Sequence, residues 1–398
     1  MGVNNSATVP LALDRNEFLF PHPVGVCHAL AHPADFSHYA ARSDVQDFCN
    51  RLSSFLAVEL GRFAIGHGAE DLLLRLLLLH RRNRSLVVVP EFSWGEYERM
   101  SLSLGYDLVT TPMTVRDENP STLAVDAEAL GKKLCELPQD QVVVLLATTN
   151  NPTGSRMDPQ TVLQLVEAFP RVVFILDGVY ESLPSPLFFG PLSRRPQVHV
   201  LGSMSKFFGL PGLRLGFATG ELPDAFHMAL GHNSWTLAVA RAALHEAGHY
   251  QDLRVLMTQA AHGLCLVPLA HLTVFRSAAP FVLVGTHVPL TSCAQLALQQ
   301  ACETKSGVRP KSFVHQGSFW MRFGLGPDSV VAAVSQFLTH WDQSVLKFLD
   351  DRPSGVAKSL DPVLRIPQPH DEERDGHQDG NPTHGPQHRH EPLLGSGQ

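Results

Sequence analysis

The stretch Ser203-Met-Ser-Lys-Phe-Phe-Gly-Leu-Pro-Gly-Leu-Arg-Leu-Gly216 is the one around which this 398-residue chain reads. It holds one lysine, two small hydroxyls, three glycines, a proline and one arginine. The residues just before it, Val198-His-Val-Leu201, are apolar enough for a buried strand. Lys206 therefore lies just past a strand end, where open α/β sheets bind their ligands. A lysine there can act as an amine nucleophile toward a carbonyl. Ser203, Ser205 and Arg214 offer hydroxyl donors and a planar bidentate cation, which is the chemistry a phosphate needs. A ligand that is both an aldehyde and a phosphate fits the set. A Gly/Pro turn with a solvated lysine is the competing reading.

Working outward, strands and helices alternate on both sides. Arg214–Thr219 reads as a further strand. Arg171-Val-Val-Phe-Ile-Leu-Asp177 is an apolar strand that ends on a carboxylate, with Tyr180 three residues on. Such an acid is costly to bury unless paired, although strand-end aspartates also cap loops. Gln141–Thr149 suits a parallel sheet. It runs into Asn150-Asn-Pro-Thr-Gly154, a dense turn signal in which the Asn151 amide could meet a ligand oxygen. Asp158 and Pro159 start a helix through Phe169.

Further back, Tyr106–Val115 reads as a strand and Leu123–Leu137 as a helix. Ser85–Pro90 is a buried strand that delivers the aromatics of Glu91–Tyr97 to its carboxyl end, with Trp94 and Tyr97 assigned to the core. Phe63-Ala-Ile-Gly-His-Gly-Ala-Glu-Asp71 sets glycines before a leucine-rich helix. Free backbone N–H groups and the positive end of the helix dipole would make an anion site there, or simply a turn and cap. Apolar residues at Val45, Phe48, Leu52, Phe55, Leu56 and Leu60 keep helical spacing, with Ser43 as cap. Residues 1–40, punctuated by Pro10, Pro21, Pro23 and Pro33, read as an irregular arm.

The alternation predicts an α/β fold, its large domain spanning 41–245 with a mainly parallel mixed sheet flanked by helices. Ala225–Ala247 reads as helical, broken near Gly231–Ser234. Then the pattern changes. A helix at Leu253–Gly263, strands at His271–Phe275 and Pro280–Gly285 and a helix at Ser292–Thr304 come first. Val308, a strand at Gly317–Gly324 and a helix at Asp328–Phe348 complete a smaller α+β domain over 246–350, to which the arm 1–40 adds. Arg322, among Trp320, Met321 and Phe323, is expected to face an anion or else the exposed side of its strand. Residues 351–398, rich in Pro, Gly and His, read as a disordered tail.

Composition excludes other classes. The chain is 44% hydrophobic with a formal net charge of -7, which leaves no basic footprint for nucleic acid. Its six cysteines form no C-x-x-C pair, so the expected compartment is a reducing cytosol. No basic-then-apolar leader opens the sequence. Met1-Gly2 with Ser6 matches a myristoylation pattern, read as chance. The run Leu72–His80 is too short to span a bilayer and is interrupted by Arg75, so no membrane partner is expected.

Asn151-Pro-Thr-Gly154, Asp177-x-x-Tyr180 and Ser203-x-Ser-Lys-x-x-Gly-Leu-Pro-Gly-Leu-Arg214, in that order, resemble the fold-type I aminotransferases of classes I and II, which use pyridoxal 5'-phosphate. The resemblance runs from Leu13 to Phe348 and is nearest to histidinol-phosphate aminotransferases. It implies that Lys206 bonds the cofactor covalently and shuttles a proton. Ser203, Ser205, Arg214 and the backbone of Ala69 and Glu70 would bind the phosphate. Phe92 would stack on the ring, Asn151 and Tyr180 would bond its phenolic oxygen, and Asp177 would pair with its nitrogen. Arg322 would clamp a substrate carboxylate or phosphate. Tyr39 would reach the phosphate of a neighbouring subunit, which implies a homodimer. Amino and oxo acids are the implied substrates. A decarboxylase or lyase on the same scaffold, similar to threonine-phosphate decarboxylases, is the alternative. A non-catalytic regulator of this fold is disfavoured, because no helix-turn-helix module is visible.

Overall fold

The fold is given by a computed structural model, which describes residues 10–350 apart from 34–36, 60–61, 117, 224–225, 227–230, 287–295, 298–299, 301–302 and 305. The chain opens with β1 (Leu11–Ala12), α1 (Val24–Ala31), α2 (Arg42–Leu56), β2 (Phe63–Gly66) and α3 (Ala69–Arg81). Next come β3 (Leu86–Pro90), α4 (Glu96–Ser103), β4 (Asp107–Thr111), β5 (Met113–Arg116), β6 (Thr122–Val125) and α5 (Ala127–Glu136). They are followed by β7 (Val142–Ala147), α6 (Pro159–Ala168), β8 (Val173–Asp177), α7 (Pro186–Phe189), β9 (Val198–Ser203), β10 (Gly216–Thr219) and α8 (Ser234–His245). The last are α9 (Ala247–Cys265), β11 (Leu272–Phe275), β12 (Phe281–Thr286), β13 (Val308–Arg309), β14 (Lys311–His315), β15 (Ser318–Gly324) and α10 (Asp328–Asp350).

Seven strands form one sheet in the order β2-β10-β9-β8-β7-β3-β4. β10 runs antiparallel to both neighbours, and the remaining pairs are parallel. This is the mainly parallel mixed sheet that the alternation predicts. Its strands are buried on both faces, which is why they read as continuous apolar runs. Val142, Val144 and Leu146 of β7 enter one core with residues of α2, α5, α6 and α8. Val143, Leu145 and Ala147 enter the opposite core with α3 and α4. Leu72, Leu73, Leu76 and Leu77 of α3 are at most 1% exposed, each contributing about 2 kcal/mol of burial.

A second sheet, β11-β12-β15-β14, is fully antiparallel. It packs with α9, α10 and Leu13 around Val284, Met321, Phe323 and Trp341. β1 pairs in parallel with β13, so the start of the described chain is tied to its far end.

Several expected elements differ. Leu123–Leu137 is a strand followed by a helix, because the Asp126 side chain accepts from Ala129 N–H and caps α5 there. Tyr106–Val115 splits at Pro112, which has no N–H for a ladder. The arm is not wholly irregular, since it contains β1 and α1, and α1 begins directly after Pro23. Ala41, not Ser43, stands at the start of α2, and no side chain caps it. β2 and β14 were not expected. Leu60, most of Ser292–Thr304 and the tail from Asp351 lie outside the described residues.

Candidate active site

The chain leaves β3 toward β4 in one direction and β7 toward β8 and β9 in the other, so the strand order reverses between β3 and β7. Ligands of such sheets sit outside the carboxyl ends of the strands at that reversal. Here the ends of β3, β7, β8 and β9 open onto one cavity of about 650 Å³. Lys206, Asp177, Tyr180, Asn151, Ser203, Ser205, Arg214, Ala69, Glu70 and Arg322 all line it. Residues spread over some 250 positions are thus brought to one place by the topology.

Lys206 Nζ donates to the carbonyl of Arg15 at 2.8 Å and to that of Asn16 at 3.3 Å. Burial, then the positive charge of Arg322, pull its pKa down to about 8, with Glu17 opposing. An amine so placed is partly neutral at neutral pH and can act as a base.

Asp177 closes β8. Its Oδ1 accepts from Val179 N–H at 2.9 Å and its Oδ2 from the Tyr97 hydroxyl at 2.6 Å. Burial pushes its carboxyl above the usual range, against those two donors. Tyr180 accepts from Asn16 Nδ2 at 3.0 Å, and burial raises its phenol.

Ser203 Oγ donates to Ser205 Oγ at 2.8 Å and accepts from Ser205 N–H at 3.0 Å. Arg214 sits in the left-handed region at φ 49. Gly68, at φ +89, precedes α3, and a Cβ there would lie 2.7 Å from Arg214 Nη2. A Cβ at Gly216 would lie 2.6 Å from Ala69 N. Gly216 is demanded by close approach to backbone and Gly68 by its left-handed φ, and together they leave a cradle at the start of α3.

Arg322, 6% exposed, lies on β15. It donates to Asn151 Oδ1 at 2.5 Å and to the Asp14 carbonyl, and its Nε is buried without a partner. Two braces hold the neighbouring loops. Glu181, 1% exposed, accepts from Thr149 at 2.9 Å and pairs with Arg156 at 2.9 Å. Arg254 of α9 donates to the Tyr180 carbonyl.

Two expected residues are not brought to the cavity. The Phe92 ring stacks on His315 with centroids 4.4 Å apart and planes 7° apart, and Phe92 does not line the cavity. Trp94 lines it instead. The Tyr39 side chain is 98% exposed and touches nothing of this cavity within its own chain. Four contributions were missed. Tyr97 lies in the core, as its sequence context predicts, but its hydroxyl points at Asp177. The tripeptide Asp14–Asn16 bonds Lys206, Tyr180 and Arg322, and its one legible signal is Asn16, a residue type that tolerates the left-handed φ of 52 found there. Lys311 and Phe313 of the unexpected β14 also line the cavity.

The sequence pattern "Aminotransferase class I and II" matches residues 11–254. A histidinol-phosphate aminotransferase of Chlorobium luteolum is 26% identical over 54% of this chain, which spans only 59% of that relative's length. One from Desulfitobacterium hafniense is 25% identical over 71% of this chain and 80% of its own. Among solved structures, the histidinol-phosphate aminotransferase of Sinorhizobium meliloti in complex with pyridoxal-5'-phosphate superposes with a TM-score of 0.68 at 21% identity. That likeness covers 85% of this chain and 92% of the other, and it establishes the fold. No helix among the described residues is long and apolar enough to cross a membrane.

Proposed function

The chain belongs to the class I and II aminotransferases, and on that premise we propose that it uses pyridoxal 5'-phosphate to move an amino group between an amino acid or amino phosphate and a 2-oxo acid. The reading rests on one observation: Lys206, Asp177 and the Ser203–Ser205–Arg214 cradle line a single cavity. The cofactor fits these residues. There is an amine for its aldehyde, a carboxylate for its ring nitrogen, and hydroxyls, an arginine and a helix start for its phosphate. Gly68 and Gly216 keep free the space that side chains would fill. When bound, the cofactor supplies a carbon that takes the amino group and a ring that accepts the electrons of the broken Cα–H bond.

The chain's own residues do the rest. Lys206, with its pKa near 8, would take the proton from the substrate Cα and hand it on to the carbon that takes the amino group. Asp177, charged, favours the protonated ring nitrogen. The Asn151 oxygen is held by Arg322, which leaves its amide NH2 free to donate to the phenolic oxygen beside Tyr180. Arg322 receives the substrate carboxylate or phosphate, exchanging the neutral Asp14 carbonyl for an anion. Held at one end, the substrate presents its Cα–H bond to Lys206 in a fixed orientation. Compounds like histidinol phosphate come first as amino substrates, a choice supported by the relatives' names and by the cationic Arg322. We read the enzyme as a cytosolic homodimer. The free cysteines 27, 49, 135 and 265 support the compartment, and the exposed Tyr39 is available to a second subunit.

Visible spectroscopy tests the reading. Added cofactor should produce an absorption band distinct from that of the free compound, absent in Lys206→Ala. Single amino compounds, histidinol phosphate and glutamate among them, should bleach it without any second substrate. Release of carbon dioxide as the band recovers would replace transamination by decarboxylation. No band with the wild type would refute the role of Lys206.

A further inference from the structure

We propose that Tyr97 is a positioning residue of this site, aiming the Asp177 carboxylate and holding it charged through one hydrogen bond. Its consequence for catalysis rests on the cofactor reading above; the geometry does not. Tyr97 stands in the first turn of α4, 80 positions before Asp177. Its hydroxyl reaches Oδ2 at 2.6 Å, the length of a charge-assisted O–H···O bond. Val179 N–H takes the other oxygen. The two carboxylate oxygens are thus claimed by donors from two separate segments, and the plane of the carboxylate is set by both.

The donor is itself held. Tyr97 is 2% exposed and meets Trp94 edge to face at 5.4 Å, so its ring is held and largely shielded from bulk water. Its phenol lies well above the usual range, through burial first and the Asp177 charge second, so it remains a neutral donor at every working pH. The other charged groups around the cavity come from every neighbouring element. Lys206 and Arg214 follow β9, Arg322 and Lys311 lie on β15 and β14, and Asp14 and Arg15 follow β1. Glu70 is on α3, Glu96 on α4, and Tyr180 follows β8. Among the described residues none of these hydrogen-bonds the Asp177 carboxylate; Tyr97 and the Val179 backbone do. Burial favours the protonated acid, and a protonated Asp177 could not hold a positive ring nitrogen. The Tyr97 bond opposes that loss.

Tyr97→Phe keeps the shape and removes the donor. In the cofactor-free protein, the Asp177 carboxyl should titrate about one pH unit higher than in wild type, followed by carboxyl ¹³C NMR with Asp177→Asn as the assignment blank. One pH unit below that new midpoint, calorimetric affinity for pyridoxamine 5'-phosphate should have fallen about tenfold in Tyr97→Phe but only about twofold in wild type. In the Asp177→Asn background the same change should have no further effect. Identical Asp177 titration in wild type and Tyr97→Phe overturns the proposal. Should that variant not fold, 3,5-difluorotyrosine at position 97 gives a stronger donor and must move the midpoint the other way; no movement is equally fatal. If wild type binds no pyridoxamine phosphate at any pH, the cofactor reading fails, and the titration still decides the Tyr97–Asp177 relation.

Discussion

Arg322 Nη1 donates to Asn151 Oδ1 at 2.5 Å, joining the second sheet to the loop after β7 across 171 positions of chain. One guanidinium edge is thereby fixed, and its orientation is set before any substrate arrives. Arg322→Lys keeps the charge but loses the fork, so kcat/KM should fall about 100-fold. Cofactor affinity should hardly move. Asn151→Ala should cost about tenfold, because it loosens the arginine and removes a donor near the ring oxygen. Steady-state kinetics beside cofactor titration separates the two effects. Unchanged kinetics in Arg322→Lys would remove this residue from the substrate site.

Lys206 carries a stability cost along with its chemistry. Its pKa is about 8 in the folded chain against the ordinary 10.5, because burial and Arg322 disfavour the ammonium. Between those values the unfolded chain binds a proton that the folded chain does not, so stability rises with pH there. Below about pH 8 the penalty is fully present, and above about 10.5 it is gone. Lys206→Met lacks this dependence. Cofactor-free wild type should therefore gain roughly 3 kcal/mol on Lys206→Met between pH 7 and pH 10.5, read by denaturant unfolding. A constant difference would mean that the lysine is not desolvated.

Gly68 is where the backbone of the cradle resists a side chain. It combines φ +89 with a Cβ position 2.7 Å from Arg214 Nη2. Gly68→Ala should cost about 1 kcal/mol in backbone strain and drive the guanidinium out of the cradle, weakening cofactor affinity about tenfold. Gly212→Ala is the control, since a Cβ there would meet nothing within 4 Å. Equal affinities in the two variants would place the phosphate elsewhere.

Strand ends were legible, and what arrives from a distance was not. Val142–Ala147 and Val173–Asp177 announce themselves because strands buried on both faces have no polar alternation to blur them. Lys206, Asp177 and Asn151 follow from such strands, so their place in the cavity could be read locally. The role of Asp14–Asn16 depends on β1 pairing with β13, almost 300 residues on, and no local pattern encodes that. Phe92 and Trp94 sit two residues apart after β3, and which ring reaches the cavity is decided by packing against β14, a strand that went unread. Tyr97 was correctly placed inside, but burial alone does not say that a hydroxyl has a carboxylate to meet.

His80, in the last turn of α3, and His199 of β9 meet Nε2 to Nε2 at 3.0 Å. One ring must donate and the other accept, so the two rings cannot both be charged without losing the bond. Burial holds both well below the usual histidine range; Arg84 adds to this at His80 and His80 does so at His199. The unfolded chain still titrates near about 6.5, so its stabilising contribution is complete above that pH. It is lost as pH falls toward the folded values, because unfolding then takes up protons that the folded pair refuses. Between pH 7 and pH 5, wild type should lose about 2 kcal/mol more than His199→Val, a replacement suited to a buried strand. Parallel acid profiles would acquit the pair. The two elements it ties are the ones that present Ala69 and Ser203 to the cradle at their other ends. Acid release of the bound cofactor should accordingly shift to lower pH in His199→Val, together with the unfolding transition.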